Sequence, residues 1–426
     1  MKDKKVLIIS NNSFSKTSNN GKTYEAIFSK FRKDNLAQLF FSENEDPDME
    51  YCERYFKVTD QDVLKNLIKF TKSNGNPVIY IKENKNVDSI TVNQSLLFNF
   101  FKKRADMLIY LRDVLWSFNS WKTPQLKKWL RDFNPDLIFF VAGPMTFPHK
   151  ITKWIAEFLD IPIVLYFTDD YVIYPKSRNL MDTLVKYRAN KIYKKTIKLS
   201  ISRFTIGELM SYEYEKYFGT QFNSIMNSIE IKSNSQVIEL RANENYLISY
   251  FGGLHLNRWK MISRLSKIAG DDFTFNVYSM EQPTEEVLIE FKNCNVNFCG
   301  GLVGLELEKK ILESDVLLHV ESDNEYYRSL TKLSVSTKIP EYLISGRMIL
   351  GFGPEELASM RVLSDNNLGL VISSDLNDDM ILEQINILRD ISLRNEFGLR
   401  AQEYARDKFD KNQNAESFKK YIEKLI

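Results

Sequence analysis

Residues 334–354 read SVSTKIPEYLISGRMILGFGP. Ser336 and Thr337 stand where hydroxyls cap a helix, and Pro340 falls in its first turn, where a missing N–H costs little. Tyr342, Leu343 and Ile344 supply an apolar face. Gly346 ends the helix, 347–350 reads as a short buried strand, and Gly351, Gly353 and Pro354 turn the chain out of it. The spacing predicts a helix over 337–345 feeding a strand, which is one αβ unit of a parallel sheet. A helix start carries unpaired N–H groups and a partial positive charge, so it can hold a phosphate, and Lys338 adds a full charge beside it. Glu341, one turn in, is placed to accept hydrogen bonds from two vicinal hydroxyls. On spacing alone the stretch reads equally as an ordinary capped helix between strands.

Working outward, residues 246–251 open a sheet and end at Gly252 and Gly253, a turn where backbone can approach a ligand closely. Arg258 and Lys260 open the next helix. Runs 273–279, 296–299 and 315–320 continue the sheet, with a helix over 305–313, and His319 and Glu321 close the last of these strands. Residues 324–333 read as a polar loop whose Arg328 and Lys332 have the reach to meet a phosphate. A strand at 368–372 and an amphipathic helix at 415–426 complete this half.

The first half opens in the same idiom. A buried strand at 6–10 leads through a polar, glycine-containing loop, 11–22, to a helix at 23–33, without a GxGxxG fingerprint. Strands follow at 38–42, 78–81, 136–141 and 163–167. Asn20, Gly21 and Lys22 fall in the first loop, at the carboxyl end of the sheet where ligands bind in such folds. Asp169 and Asp170 end a central strand, placed to orient a hydroxyl or take its proton, or else to hold a turn. His149, one of three histidines, sits at the mouth of the neighbouring helix. Between 95 and 131, Phe98, Phe100, Phe101, Trp116, Phe118, Trp121 and Trp129 alternate with Lys102, Lys103, Arg104, Lys122, Lys127, Lys128 and Arg131. That mixture suits an amphipathic surface on an anionic membrane, or packed helices with solvated faces. Residues 178–199 form a strongly basic helix, and the polar stretch 231–243 reads as a linker.

With 426 residues, 43% hydrophobic and 27% charged, the chain suits two domains of roughly 200 residues each. A net charge of +2 gives no argument for nucleic acid as a partner. Three cysteines, Cys52, Cys294 and Cys299, make no disulfide framework; Cys294 and Cys299, five apart without zinc spacing, read as reduced core thiols. The opening MKDKKVLIIS is too short in its apolar run for a signal peptide or a span, so a cytoplasmic protein is expected, placed at the inner face of the membrane.

The stretch STKIPEYLISGRMILGFGP resembles the nucleotide-sugar-binding segment of GT-B glycosyltransferases, especially family 4, the bacterial surface polysaccharide type. There a Ser-Lys or Thr-Lys pair precedes a helix of this pattern. Two weaker matches extend the resemblance over most of the chain. FCGGLVGLELEKKILESDVLLHV is similar to the run that places a strand under the base. A Ser-containing strand at 199–202, a helix, Tyr214 to Gly219 (YxxxFG) and then Asn227 are similar to the end of the N-terminal domain.

The resemblance implies an α/β fold of two Rossmann-like, doubly wound domains facing a cleft. The acceptor-binding domain would span 1–230, joined by a crossing helix at 415–426. A linker at 231–243 would lead to a nucleotide-sugar domain at 244–414. It implies that Gly252, Gly253, Arg258, Glu321, Lys332, Ser336, Thr337, Lys338 and Glu341 bind the donor, with Arg258 neutralising the leaving diphosphate. Asn20, Gly21 and Lys22 would lie on the acceptor side, and Asp169, Asp170 and His149 are the candidate catalytic groups. One departure stands out. Family 4 enzymes often carry a second Glu eight positions before the ribose Glu, and here that position is Leu333. Glu321, Asp323 or Glu325 in the preceding loop are the candidates to replace it.

The implied activity is transfer of a sugar from a nucleoside diphosphate sugar to a glycan or lipid-linked acceptor, with retention, without metal or other cofactor. The partners are then the donor, the acceptor and an anionic membrane surface. Two other readings use the same residues: a nucleotide-sugar epimerase of GT-B fold, and a catalytically silent subunit that binds a partner glycosyltransferase.

Overall fold

A computed structural model describes residues 4–15, 19–43, 46–68, 75–78, 105–231 and 246–426. The chain divides into two compact units, residues 1–225 with 415–426, and residues 226–414. Each unit is built on a largely parallel sheet whose central strands are buried on both faces, as expected when helices cover both sides.

In the first unit the strands are β1 (Val6–Ser10), β2 (Leu36–Phe40), β3 (Arg54–Lys57), β4 (Asn76–Val78), β5 (Leu137–Ala142), β6 (Ile163–Phe167), β7 (Ser200–Thr205) and β8 (Asn223–Ser224). Their order is β4-β3-β2-β1-β5-β6-β7-β8, parallel except for the β3–β4 pair. The chain winds outward from β1 through β2 and β3, then returns to β5 on the other side of β1. The order therefore reverses between β1 and β5, the place where open α/β sheets bind ligands. Every residue of β1, β5 and β6 is buried. The C-terminal helix Lys411–Leu425 adds Phe418 to this core, edge-on to Phe28, Phe139 and Phe204, and Tyr421 bonds Ser202 through their hydroxyls at 2.7 Å.

In the second unit the strands are β9 (Tyr246–Phe251), β10 (Phe273–Tyr278), β11 (Val296–Gly300), β12 (Val316–Val320), β13 (Met348–Gly353) and β14 (Leu370–Ser373). They run β11-β10-β9-β12-β13-β14, all parallel, and here the order reverses between β9 and β12. Side chains alternate between two cores along each strand. Ile248, Tyr250, Val316, Leu318 and Val320 pack on one face, and Phe251, Leu317, Tyr342 and Leu343 on the other.

Several local readings need correction. The first helix is Asn19–Phe28, so Asn20, Gly21 and Lys22 lie in its first turn rather than in a loop. The short strand at 54–57 was missed because only Tyr55 and Phe56 of RYFK are buried. The polar segment after β12 contains a helix, Glu325–Thr331, whose start Asn324 caps by accepting from the amides of Tyr326 and Tyr327. In the described part of the aromatic-basic stretch the tryptophans belong to the core. Trp116, Trp121 and Trp129 are buried, and Trp116 donates to Asp60 at 2.6 Å; Phe118 is exposed. Phe98, Phe100, Phe101, Lys102, Lys103 and Arg104, the strand end at 79–81 and the linker from 232 to 243 lie outside the described residues.

Candidate functional site

The carboxyl ends of β9 and β12, at the reversal point of the second sheet, carry a buried ion pair. Glu321 follows β12 directly and is almost fully buried. Arg258, the first residue of the helix Arg258–Ala269, reaches it with Nη2, 3.2 Å from each carboxylate oxygen. Burial alone would lower the Arg258 pKa, but Glu321, Tyr250 and Glu281 outweigh it and the guanidinium is held charged. His319, two residues before Glu321, is buried with Nε2 3.5 Å from a Glu321 oxygen. Burial pushes its imidazole down to about 4; Glu321 opposes that, and the positive charges of Arg258 and Lys338 reinforce it. His319 therefore stays neutral between charged neighbours.

Lys338 comes from the opposite direction in sequence. The helix it precedes is Ile339–Ile344, shorter than the expected 337–345, and Lys338 itself is the N-cap. Ser336 and Thr337 do not cap it. Ser336 Oγ accepts from the Lys338 amide at 3.4 Å, and Asn227 donates to the Thr337 carbonyl at 3.2 Å. Lys338 and Tyr342, four apart, share a face of the turn. The Lys338 ammonium donates to the Phe251 carbonyl, and the Tyr342 hydroxyl accepts from the Phe251 amide at 3.1 Å. The turn is thereby pinned to the end of β9, with one positive charge over it. Glu341 stands beside Tyr342, half-buried.

The loop between β9 and the Arg258 helix is tightly drawn. A Cβ on Gly252 would lie 2.4 Å from the Tyr250 hydroxyl, and one on Gly253 would lie 2.5 Å from the His255 ring and 2.7 Å from Glu281 Oε1. A side chain at either place would have to push these groups aside. Glu281 Oε2 accepts from the amides of Leu254 and His255 at 2.8 and 3.1 Å, and its Oε1 lies 2.6 Å from His255 Nδ1. His255 and Glu281 were not singled out in the sequence. The available signals were a rare histidine two residues past the glycine pair and an acid just beyond the end of β10.

Of the other expected donor residues, Lys332 stands apart from this group. It lies beyond the Glu325–Thr331 helix, where its charge and that of Arg328 act on Glu356. Leu333 is fully buried core. Asp323 and Glu325 are exposed, so Glu321 is the buried carboxylate of that loop.

In the first unit the expected catalytic trio separates. His149 is buried against Phe140 and Tyr193, with Nδ1 2.9 Å from the Thr196 hydroxyl. Burial pushes its imidazole down to about 3. It is a neutral core residue, a correction to its expected place in the chemistry. Asp170 is buried too. Its oxygens accept from the amides of Val172, Ile173 and Tyr174 at 2.8–3.0 Å and from the Tyr214 hydroxyl at 3.1 Å. That set commits it to shaping the turn after β6, again a correction. Asp169 is half-exposed; one oxygen accepts from Thr168 and Tyr171 hydroxyls at 3.2 and 3.4 Å. Gly21 is buried where a Cβ would meet the Ser15 amide at 2.5 Å, which lets the first helix pack on the loop after β1. The Asn20 side chain lies outside the description. Among the described residues no three His, Cys, Asp or Glu side chains gather as metal ligands.

No protein-family model matches the sequence, and no curated protein matches it. Solved structures do. HepE from Anabaena, in complex with UDP, superposes with a TM-score of 0.64 at 12% identity, over 99% of this chain and 100% of that one. Sucrose-phosphate synthase from Thermosynechococcus elongatus gives 0.59 at 12% identity, over 99% of each. WaaG, a glycosyltransferase involved in lipopolysaccharide biosynthesis, gives 0.55 at 12%, over 97% of this chain and 99% of that one. At such identities the likeness is one of fold, and with the two sheets above it places the chain in the GT-B architecture.

Proposed function

We propose that the protein is a glycosyltransferase that moves a sugar from a nucleoside diphosphate sugar to a glycan or lipid-linked acceptor, with retention, in surface polysaccharide or glycoconjugate synthesis. The observation that carries this is a pair of cations at the β9–β12 reversal point: Arg258 held by Glu321 just after β12, and Lys338 donating to the Phe251 carbonyl at the end of β9. Structures of HepE in complex with UDP and with UDP-glucose support the donor class. In this reading the diphosphate rests against Arg258 and Lys338, and Glu341 takes the ribose hydroxyls. Charge grows on the leaving diphosphate as the glycosidic bond breaks, and two fixed cations stabilise that state more than the ground state. Asp169 is the remaining candidate to orient the acceptor hydroxyl.

A membrane-borne acceptor is supported by the helix Leu180–Leu199. It exposes Leu180, Leu184 and Tyr187 at one end and Lys191, Lys194, Lys195 and Lys198 along the rest, a pattern suited to anionic lipid. Among the described residues no helix is long and apolar enough to cross a membrane. The test is release of nucleoside diphosphate from a panel of nucleotide sugars, with and without glycan acceptors. Turnover with one donor, lost in Lys338→Ala, is the expected result; no turnover or binding with any donor would refute the reading.

A further inference from the structure

The backbone amides just beyond the Gly252–Gly253 turn already hold an anion, and the anion belongs to the protein. Glu281 offers one oxygen to two successive backbone N–H groups, Leu254 and His255, and the other to the His255 ring. Consecutive amides converging on one acid form a concave anion seat of the kind that also binds phosphate. Burial would raise the Glu281 pKa; the His255 hydrogen bond, with the two amides, outweighs it and holds the carboxyl low, so the occupant is ionised. The side chain is nonetheless 46% exposed and His255 56% exposed, so water and solutes reach the seat. His255 Nε2 lies 3.4 Å from Arg258 Nη1, which places the seat next to the guanidinium assigned to the diphosphate. Gly253 leaves the space into which the carboxylate and the imidazole close.

We infer that Glu281 is an internal stand-in for a phosphate group, displaced from the Leu254–His255 amides when a diphosphate binds, and that this competition sets the affinity for the donor. The inference rests on the donor reading above. A phosphate carries more charge and more acceptor oxygens than a carboxylate, so exchange is favourable while the carboxylate still lowers the net affinity. A mere brace would act in the opposite sense, because removing it would loosen the loop and weaken binding.

The experiment is calorimetric titration of the full chain with UDP and, separately, with inorganic pyrophosphate, for the unaltered protein, Glu281→Gln and Glu281→Ala. Both probes should bind about tenfold more tightly to Glu281→Ala, with Glu281→Gln between, because Gln keeps an acceptor but loses the charge. Equal or weaker binding of both probes by the variants would overturn the proposal, and Glu281→Gln decides if Glu281→Ala does not fold. Tighter pyrophosphate binding with no UDP binding in any variant would uphold the seat and remove the donor reading. UDP binding that neither variant strengthens would uphold the donor reading and remove the seat.

Discussion

The carboxyl edges of the two sheets carry similar inventories of acids and histidines and use them differently. In the second unit, Glu321 holds a guanidinium in place, His319 is kept neutral between charges, and Lys338 brings a second cation to the end of β9. In the first unit, Asp170 spends its oxygens on three amides and a tyrosine hydroxyl, and His149 lies inside the core. Paired charges at a strand end cost desolvation and are retained where a ligand completes them. A buried carboxylate saturated by backbone donors has its work done already. The contrast favours the second unit for the proposed ionic chemistry and leaves Asp169, half-exposed, as the first unit's candidate.

The comparison breaks most decisively at the cations. Arg258→Ala and Lys338→Ala should each lower turnover by roughly 10²–10³, about 3–4 kcal/mol of barrier, with the unfolding midpoint little changed for Lys338→Ala. Steady-state rates alongside thermal melts check this. Next in size, Asp170→Ala should cost about 3 kcal/mol of stability by orphaning buried donors, whereas Asp169→Ala should stay within about 0.5 kcal/mol. Denaturant titration separates them, and equal losses would erase the distinction between the two acids.

Acid should then act on both units alike. The unfolded His149 imidazole takes its proton near 6.5 and the folded one near 3. The unfolded chain therefore binds more protons in that window. Stability is full above about pH 6.5 and falls by up to about 1.4 kcal/mol per pH unit below it, with His319 adding a similar term down to about 4. His149→Gln should flatten the slope between pH 6.5 and 5, read from melts across that range. On the ligand side the mildest expected loss is Glu341→Gln, a roughly tenfold loss of nucleotide affinity, about 1.4 kcal/mol, with turnover at saturation nearly kept.

How much of this was legible in the sequence follows from what each signal encodes. Continuous apolar runs such as VLIIS and IVLYF announce strands buried on both faces, and the glycine pair after β9 announces a close backbone approach, later explained by Tyr250, His255 and Glu281. Arg258, Glu321 and Lys338, distant in sequence, were tied together only by resemblance to a family; the fold pairs Arg258 with Glu321 and sets Lys338 on the end of β9. Burial was the unreadable quantity. The tryptophans at 116, 121 and 129 alternate with lysines as a membrane-facing helix would, yet pack inward, because their apolar neighbours come from residues far along the chain. Asp169 and Asp170 are likewise indistinguishable by type; only the turn after β6 decides which one meets solvent. Ser336 and Thr337 looked like caps because the cap rule assumes the helix begins at once, and here it begins at Ile339.

The central claim is a diphosphate held by Arg258 and Lys338 at the reversal point of the second sheet. Calorimetric titration with UDP and with uridine, on the unaltered chain and on Lys338→Ala, tests it most directly. The account predicts that UDP binds at least tenfold more tightly than uridine and that Lys338→Ala removes that advantage. UDP and uridine binding equally, or a UDP affinity indifferent to Lys338, would contradict it.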